Sequence, residues 1–194
     1  MAARLSIGRE PLLRSCLAAA QQVDLGYVDC LCPLAQLAKA ARLEPEIADA
    51  IIHVVAFIVR TQAPSLQVEH RHDMLFQAMT IVVIITGRMG LLLRASEGVV
   101  SLLQYVASIM APEGLEGTHV MLLVLRALQD VPLHFHNEAV LRGALSVIDL
   151  SIAPTQDLDV VVLAAELLQS MARQRIALQT LADVVRICER PCMA

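Results

Sequence analysis

Residues 96–154 read SEGVVSLLQYVASIMAPEGLEGTHVMLLVLRALQDVPLHFHNEAVLRGALSVIDLSIAP, and they carry the clearest helical pattern of the chain. Pro112, Pro132 and Pro154 interrupt it at intervals of about 20 residues, with long apolar runs between them. A proline inside a helix removes one backbone hydrogen bond and clashes with the preceding turn. Each interval is therefore predicted to hold one helix of about 15 residues and a short connection.

The predicted helices differ in how much of their surface is apolar. Residues 116–130 contain six consecutive apolar residues, Val120 to Leu125, so this helix must be covered on more than one side. Residues 158–172 show the same pattern. Residues 97–110 and 137–151 instead place apolar residues on one stripe and polar residues opposite. Covered helices alternating with amphipathic ones predict layers of helical hairpins.

Similar signals extend over the whole chain, which is predicted to be one all-α domain, 1–194, or a fragment of a longer solenoid. Helices are predicted near 10–22, 33–42, 46–61, 72–86, 97–110, 117–130, 137–151, 156–172 and 175–189. Pro33 and Pro45 fit first-turn positions, where the missing N–H would have no partner within the helix. Asn137 and Thr155 fit N-cap positions, where a side-chain oxygen accepts from a free backbone N–H.

The stretch 96–154 resembles armadillo and HEAT-type helical repeats in its EGVVSLLQ helix start, its long apolar helix and its NEAVLRGALSVI helix. The resemblance implies a right-handed α-solenoid of stacked hairpins, here about nine helices with a repeat of about 40 residues. It also implies a non-catalytic scaffold or adaptor for protein–protein interaction, of a kind found in nuclear chromosome-associated complexes. The family's asparagine ladder for extended peptides is not visible, so importin-like cargo binding is not implied.

Composition argues against several classes of protein. Hydrophobic residues make up 57% of the chain and aromatic residues only 3%, a mixture that suits packed helices. The formal net charge is −4, and Lys39 is the only lysine. Nucleic-acid binding normally needs a basic face and stacking aromatic residues. Direct binding to nucleic acid is therefore not expected.

The chain is also expected to be intracellular, either cytoplasmic or nuclear. Arg9 and Glu10 interrupt the apolar region that a secretory signal would need. The most apolar stretch, Met74 to Thr86, is shorter than the roughly 20 residues needed to span a bilayer, so no membrane partner is expected. The odd number of cysteines, five, favours reduced thiols.

Two histidine pairs raise the question of a metal site. VEHRHD, residues 68–73, contains His70 and His72, and a later connection contains His134 and His136. Four histidines could ligate a metal if the two connections met. The alternative is two polar loops, the first of which leads into a helix whose N-terminus favours acidic residues. The polar-loop interpretation is preferred, and no metal or cofactor is expected.

The remaining candidates for chemistry also have simpler explanations. Cys30 and Cys32 are two residues apart and Cys188 and Cys192 four apart, unlike the spacing of a zinc knuckle. His53 lies among apolar residues and is predicted to be a core histidine or one whose hydrogen bonds are satisfied, and not a catalytic base. The chain has no phosphate-binding loop, nucleophile elbow or zinc-binding helix motif. The protein is therefore not expected to be an enzyme.

A partner-binding surface is predicted on the amphipathic helices. If consecutive helices pair from 72–86 onward, the second members, 97–110, 137–151 and 175–189, stack side by side along the inner surface. Their outward residues form one stripe: Gln104, Ser108, Arg142, Ser146, Asp149, Gln179, Asp183 and Arg186. The expected partner is another protein, bound through a helix or an extended peptide, with Arg142 and Arg186 pairing with its carboxylates. The alternative is a solvated face.

Two other functions stay open at this point. A compact helical bundle could regulate a partner by binding its amphipathic helix in an apolar groove. A metal-dependent enzyme could use the histidine connections.

Overall fold

The computed structural model describes residues 27–92, 96–131 and 137–173, together with Pro11 and Arg14. These residues form six continuous helical runs without any β-strand, which confirms the all-α class for this part of the chain. The runs contain α1 (Tyr27–Lys39), α2 (Pro45–Gln62), α3 (Val68–Met89), α4 (Ser96–Met110), α5 (Thr118–Asp130), α6 (Glu138–Ser151) and α7 (Leu158–Arg173).

The predicted total of nine helices is not confirmed. The predicted helix 175–189 lies outside the described residues, as does 10–22 apart from Pro11 and Arg14, which are helical. Each of the other seven predicted helices overlaps one of α1 to α7.

The chain divides into two compact units, Met1–Gly98 and Val99–Ala194. In the first unit, α1, α2 and α3 pack against one another. In the second unit, α5, α6 and α7 pack against one another. A single domain over 1–194 and a solenoid arrangement remain predictions.

Helix α1 corrects the predicted helix 33–42. It begins at Tyr27 and ends at Lys39, so Pro33 lies inside the helix and not in its first turn. An interior proline costs a helix about 3 kcal/mol. The helix forms nevertheless because it buries one apolar face, made of Cys30, Leu31, Leu34 and Ala38. Tertiary burial therefore outweighs the local signal that proline gives.

Helix α2 agrees with the predicted range 46–61 and starts with Pro45 in its first turn, as expected. The prediction that His53 belongs to the core is wrong, because its side chain is exposed. Its neighbours Ile52 and Val54 are buried. Each residue of a helix turns by about 100°, so a residue between two buried ones can still face solvent.

Helix α3 is longer at both ends than the predicted 72–86. At its start, Gln67 has an extended backbone and its carbonyl accepts a 2.8 Å hydrogen bond from the Arg71 N–H. At its end, the Arg88 guanidinium donates to the carbonyl oxygens of Ala38 and Ala40, at 2.5 and 2.7 Å. These carbonyls lie at the C-terminus of α1, which favours a cation. Arg88 therefore caps a neighbouring helix.

The first three helices of the second unit start and stop close to their predicted bounds of 97–110, 117–130 and 137–151. The predicted N-cap of α6 is confirmed, because Asn137 Oδ1 accepts from the N–H groups of Ala139 and Val140 at 3.1 and 3.3 Å. The expected coverage of α5 is also confirmed. All six of its central apolar residues, Val120 to Leu125, are buried or half-buried.

The connection between α4 and α5 is a 3-10 helix, Ala111–Gly117, and two of its glycines are required there. Gly114 has φ 57° and ψ −124°, a conformation that side chains with a Cβ disfavour. A Cβ on Gly117 would lie 2.8 Å from the Met110 carbonyl oxygen. The predicted break near Pro112 is therefore present, but glycines shape it.

Helix α7 corrects two predictions. Thr155 is not its N-cap, since Asp157 Oδ1 accepts a 2.9 Å hydrogen bond from the Asp159 N–H. The helix starts late because the preceding turn is anchored by Gln156, which is buried and donates through Nε2 to the Ala111 carbonyl at 2.8 Å.

The expectation that α7 is covered on more than one side is also wrong. Leu158 and Val162 are 73% and 47% exposed. The helix turns them to solvent because its inward face is made of other residues, namely Val160, Ala164, Leu167, Leu168 and Met171.

Two segments of the described chain, Pro45–Ser65 and Ser96–Asp130, are long and apolar enough to cross a membrane by length and composition alone. Core helices of folded proteins meet the same criterion, so this is weak evidence for a membrane protein. The first segment buries seven residues of α2 in the core of its own unit. The second is not one straight helix, because Gly114 interrupts it.

Candidate partner-binding surface

The predicted stripe lies partly on α4 and α6, two helices that are amphipathic as expected. Their buried residues include Val99, Leu103, Val106 and Met110 on α4 and Leu141, Ala144, Leu145 and Ile148 on α6. On the opposite faces, Gln104, Ser108 and Arg142 are exposed, and Ser146 and Asp149 are half-buried. We call these five residues the polar stripe.

Gly143 allows α4 and α6 to approach each other closely. A Cβ at this position would lie 2.5 Å from Val100 Cγ1 and 3.7 Å from Gln104 Oε1. The first distance is below the 3.0 Å that real Cβ atoms keep from other atoms. A glycine inside a helical pattern can indicate such a contact, but it does not show which helix approaches.

The close approach brings two residues of the polar stripe together. Gln104 Nε2 donates to Ser146 Oγ at 3.2 Å, between residues that are 42 positions apart in the chain. An exposed hydrogen bond of this kind contributes little to stability, because water competes for both groups. Its importance is geometric, since it shows that α4 and α6 meet around Gln104 and Ser146.

Two other groups of the stripe, those of Ser108 and Arg142, are held within their own helices. Ser108 Oγ donates to the Tyr105 carbonyl at 2.7 Å. Arg142 pairs with Glu138 one turn earlier, and the two side chains are 70% and 66% exposed. An exposed pair at this spacing is worth only about 0.3–0.5 kcal/mol, so Arg142 can exchange it for another carboxylate. Gln179, Asp183 and Arg186 lie outside the described residues.

The first histidine pair does not form a metal site with its neighbours. Residues 68–73, predicted to be a polar loop, are instead the first turns of α3. His70 and His72 therefore point in directions about 160° apart around the helix axis. His70 is exposed, while His72 is half-buried and its Nε2 is a buried atom with no hydrogen-bond partner. The second pair, at 134 and 136, lies outside the described residues.

The cysteines and acidic residues of the described ranges give the same result. No group of three or more His, Cys, Asp or Glu side chains within those ranges could hold a metal ion. Cys30 is buried, Cys32 is exposed, and neither forms a disulfide. Cys188 and Cys192 lie outside the described residues.

Comparison with protein-family models finds no match for this chain, and comparisons with curated proteins and with solved structures find none either. The resemblance to armadillo and HEAT repeats therefore remains a prediction from residues 96–154.

Proposed function

We propose that this protein is a non-catalytic scaffold or adaptor that binds another protein through the polar stripe on α4 and α6. The observation that carries the proposal is the hydrogen bond between Gln104 and Ser146. It supports a continuous polar surface made by two helices that are not consecutive in the chain. Two helices side by side offer a binding partner more area than one helix can.

The chemistry of the stripe suits a helix or an extended peptide. The Gln104 amide and the Ser108 and Ser146 hydroxyls can each donate and accept, as the backbone of a peptide requires. Arg142 adds a planar guanidinium that can bind a partner carboxylate through two hydrogen bonds. Its present pair with Glu138 is exposed and weak, so exchange needs little free energy.

The proposal includes a right-handed α-solenoid in which Gln179, Asp183 and Arg186 continue the stripe. It also includes an intracellular location, with membership of a nuclear chromosome-associated complex as one setting. Small-angle scattering tests the solenoid, since a compact chain of this length has a radius of gyration of about 16 Å. A clearly larger value is expected.

The binding test starts from the partner, identified by affinity purification from the native source and mass spectrometry. Titration calorimetry on the full chain then compares the wild type with Arg142→Glu and with the control Arg126→Glu, which changes an exposed arginine of α5. We expect Arg142→Glu to weaken binding about tenfold, or 1.4 kcal/mol, and the control to leave it unchanged. A folded Arg142→Glu protein with full affinity would exclude this surface.

A compact bundle that binds an amphipathic partner helix is the second candidate. The observation that favours it is the exposure of two large apolar side chains on α3, Val68 at 44% and Phe76 at 48%. A radius of gyration near the compact value would favour this candidate over the solenoid. A metal-dependent enzyme ranks third, and stoichiometric zinc or iron that is lost on changing His70 and His72 would raise it.

A further inference from the structure

One edge of the second unit exposes apolar side chains beside acidic ones. Leu115 is 69% exposed, and Leu158 and Val162 are 73% and 47% exposed. Glu116 and Asp159, each next in sequence to one of the leucines, are exposed as well. We call these five residues the acidic–apolar edge. None of them belongs to the polar stripe.

The two segments that carry this edge are fixed to each other. Gln156 Nε2 donates to the Ala111 carbonyl at 2.8 Å, and a Cβ on Gly114 would lie only 3.1 Å from the Thr155 carbonyl oxygen. Leu115 directly follows Gly114, and Leu158 lies three residues after Thr155. Because one residue spans at most about 3.6 Å, the backbone of Leu115 lies within about 4 Å of Gly114 and that of Leu158 within about 11 Å of Thr155.

Within the sequence of the two segments that carry the edge, all charged residues are acidic. Segments 111–117 and 153–162 contain four carboxylates, at Glu113, Glu116, Asp157 and Asp159, and no Lys or Arg. The apolar side chains form a ridge in part, since Leu158 and Val162 are four residues apart on one face of α7. Such i, i+4 ridges pack into the grooves of another helix.

We propose that the acidic–apolar edge docks an amphipathic helix of a partner protein whose apolar face is bordered by Lys or Arg. Charge complementarity selects this occupant. A second copy of the chain would bring acidic groups against acidic groups in a symmetric pair. An anionic lipid surface or a phosphate backbone would be repelled in the same way.

The experiment uses the full chain and two synthetic fluorescent helical peptides with the same leucine stripe, one with lysines and one with glutamates on the polar face. We expect the lysine peptide to bind at least about tenfold more tightly than the glutamate peptide. The double variant Leu158→Ser, Val162→Ser should weaken binding of the lysine peptide by a similar factor. The control Leu92→Ser changes a leucine of the first unit that is 62% exposed and should have no effect.

A second pair of variants tests charge without changing an apolar residue. Glu116→Lys should weaken binding of the lysine peptide severalfold, and Glu166→Lys, an exposed carboxylate later on α7, should change it less. Circular dichroism melting confirms that each variant is folded. Equal binding by the edge variants and their controls would overturn the proposal.

Two further outcomes would assign the edge to another occupant and overturn the proposal. One is self-association in sedimentation that the double variant abolishes. The other is binding to phosphatidylserine vesicles that the double variant abolishes. The Arg142→Glu variant should bind the lysine peptide normally, so failure of this inference and failure of the polar-stripe proposal are distinguishable.

Discussion

Local sequence signals mark the ends of the helices to different degrees in the two units. In the second unit, local sequence signals lie where helices start and stop, as with Asn137 before α6 and the glycine-rich connection before α5. In the first unit, α1 runs through Pro33 and α3 begins four residues before its predicted start. Local chemistry therefore predicts α4, α5 and α6 of the second unit better than α1 and α3 of the first.

The difference shows when packing overrides a local signal. The helices of the first unit bury long apolar faces, including Ile51, Val55 and Ile58 on α2 and Leu75, Met79 and Val82 on α3. Burying one large aliphatic side chain stabilises by about 1.5–3 kcal/mol, so two such contacts outweigh one interior proline. In α4, α5 and α6 of the second unit the local signals and the packing agree.

The largest expected effect concerns the contact between α4 and α6. Gly143→Val should destabilise the protein by about 3 kcal/mol, because the new side chain would overlap Val100 Cγ1. Chemical denaturation measures the change. A loss of this size would show that α4 and α6, whose ends the sequence predicts well, still depend on a contact between helices that the sequence does not indicate.

A compensating change provides the control for this prediction. Val100→Ala removes the methyl groups that Gly143→Val would meet, so the double variant should recover part of the lost stability. Strictly additive effects in the double-mutant cycle would contradict a direct contact between these positions.

Sequence patterns identified the helical class, the three helices between 96 and 151 and the buried faces of α4 and α6. They missed features that depend on residues distant in the chain. Arg88 capping α1 is one example, and the hydrogen bond from Gln156 that delays the start of α7 is another. Of the site, Gln104, Ser108 and Arg142 are exposed as the sequence predicted, whereas Ser146 and Asp149 are half-buried. The pairing of Gln104 with Ser146 followed only from helix packing.

Arg88 should provide the next largest effect, in the first unit. Arg88→Met keeps the length of the side chain but removes the donors to Ala38 and Ala40, which should destabilise by about 2 kcal/mol. Native-state hydrogen exchange should show the loss at the C-terminal end of α1.

Arg88→Lys is the matched control, because it keeps the charge near the helix terminus and loses only the planar fork. It should recover part of the stability. Equal stability of the wild type and Arg88→Met would show that packing alone holds α1 in place.

Pro33 tests directly whether burial overrides a helix-breaking residue. Pro33→Ala should stabilise the protein by about 1–2 kcal/mol, because alanine restores a backbone N–H donor inside α1. The gain is less than the full cost of an interior proline because alanine also raises the conformational entropy of the unfolded chain. Pro45→Ala is the control, because a first-turn proline breaks no helical hydrogen bond. Urea denaturation of both variants measures their free energies of unfolding. A loss of stability in Pro33→Ala alone would mean that packing of the proline ring stabilises α1 by more than the missing hydrogen bond costs.

The smallest effect concerns the start of α7. Asp157→Ala should destabilise by about 1 kcal/mol, because the side chain accepts from the Asp159 N–H and lies at the positive end of the helix. Thr155→Ala, at the cap predicted from sequence, should change stability by less than about 0.5 kcal/mol because that side chain is exposed. Denaturation midpoints of the two variants give the comparison. A larger loss of stability in Thr155→Ala than in Asp157→Ala would identify Thr155 as the cap of α7. The start of α7 would then be one that local sequence signals predict.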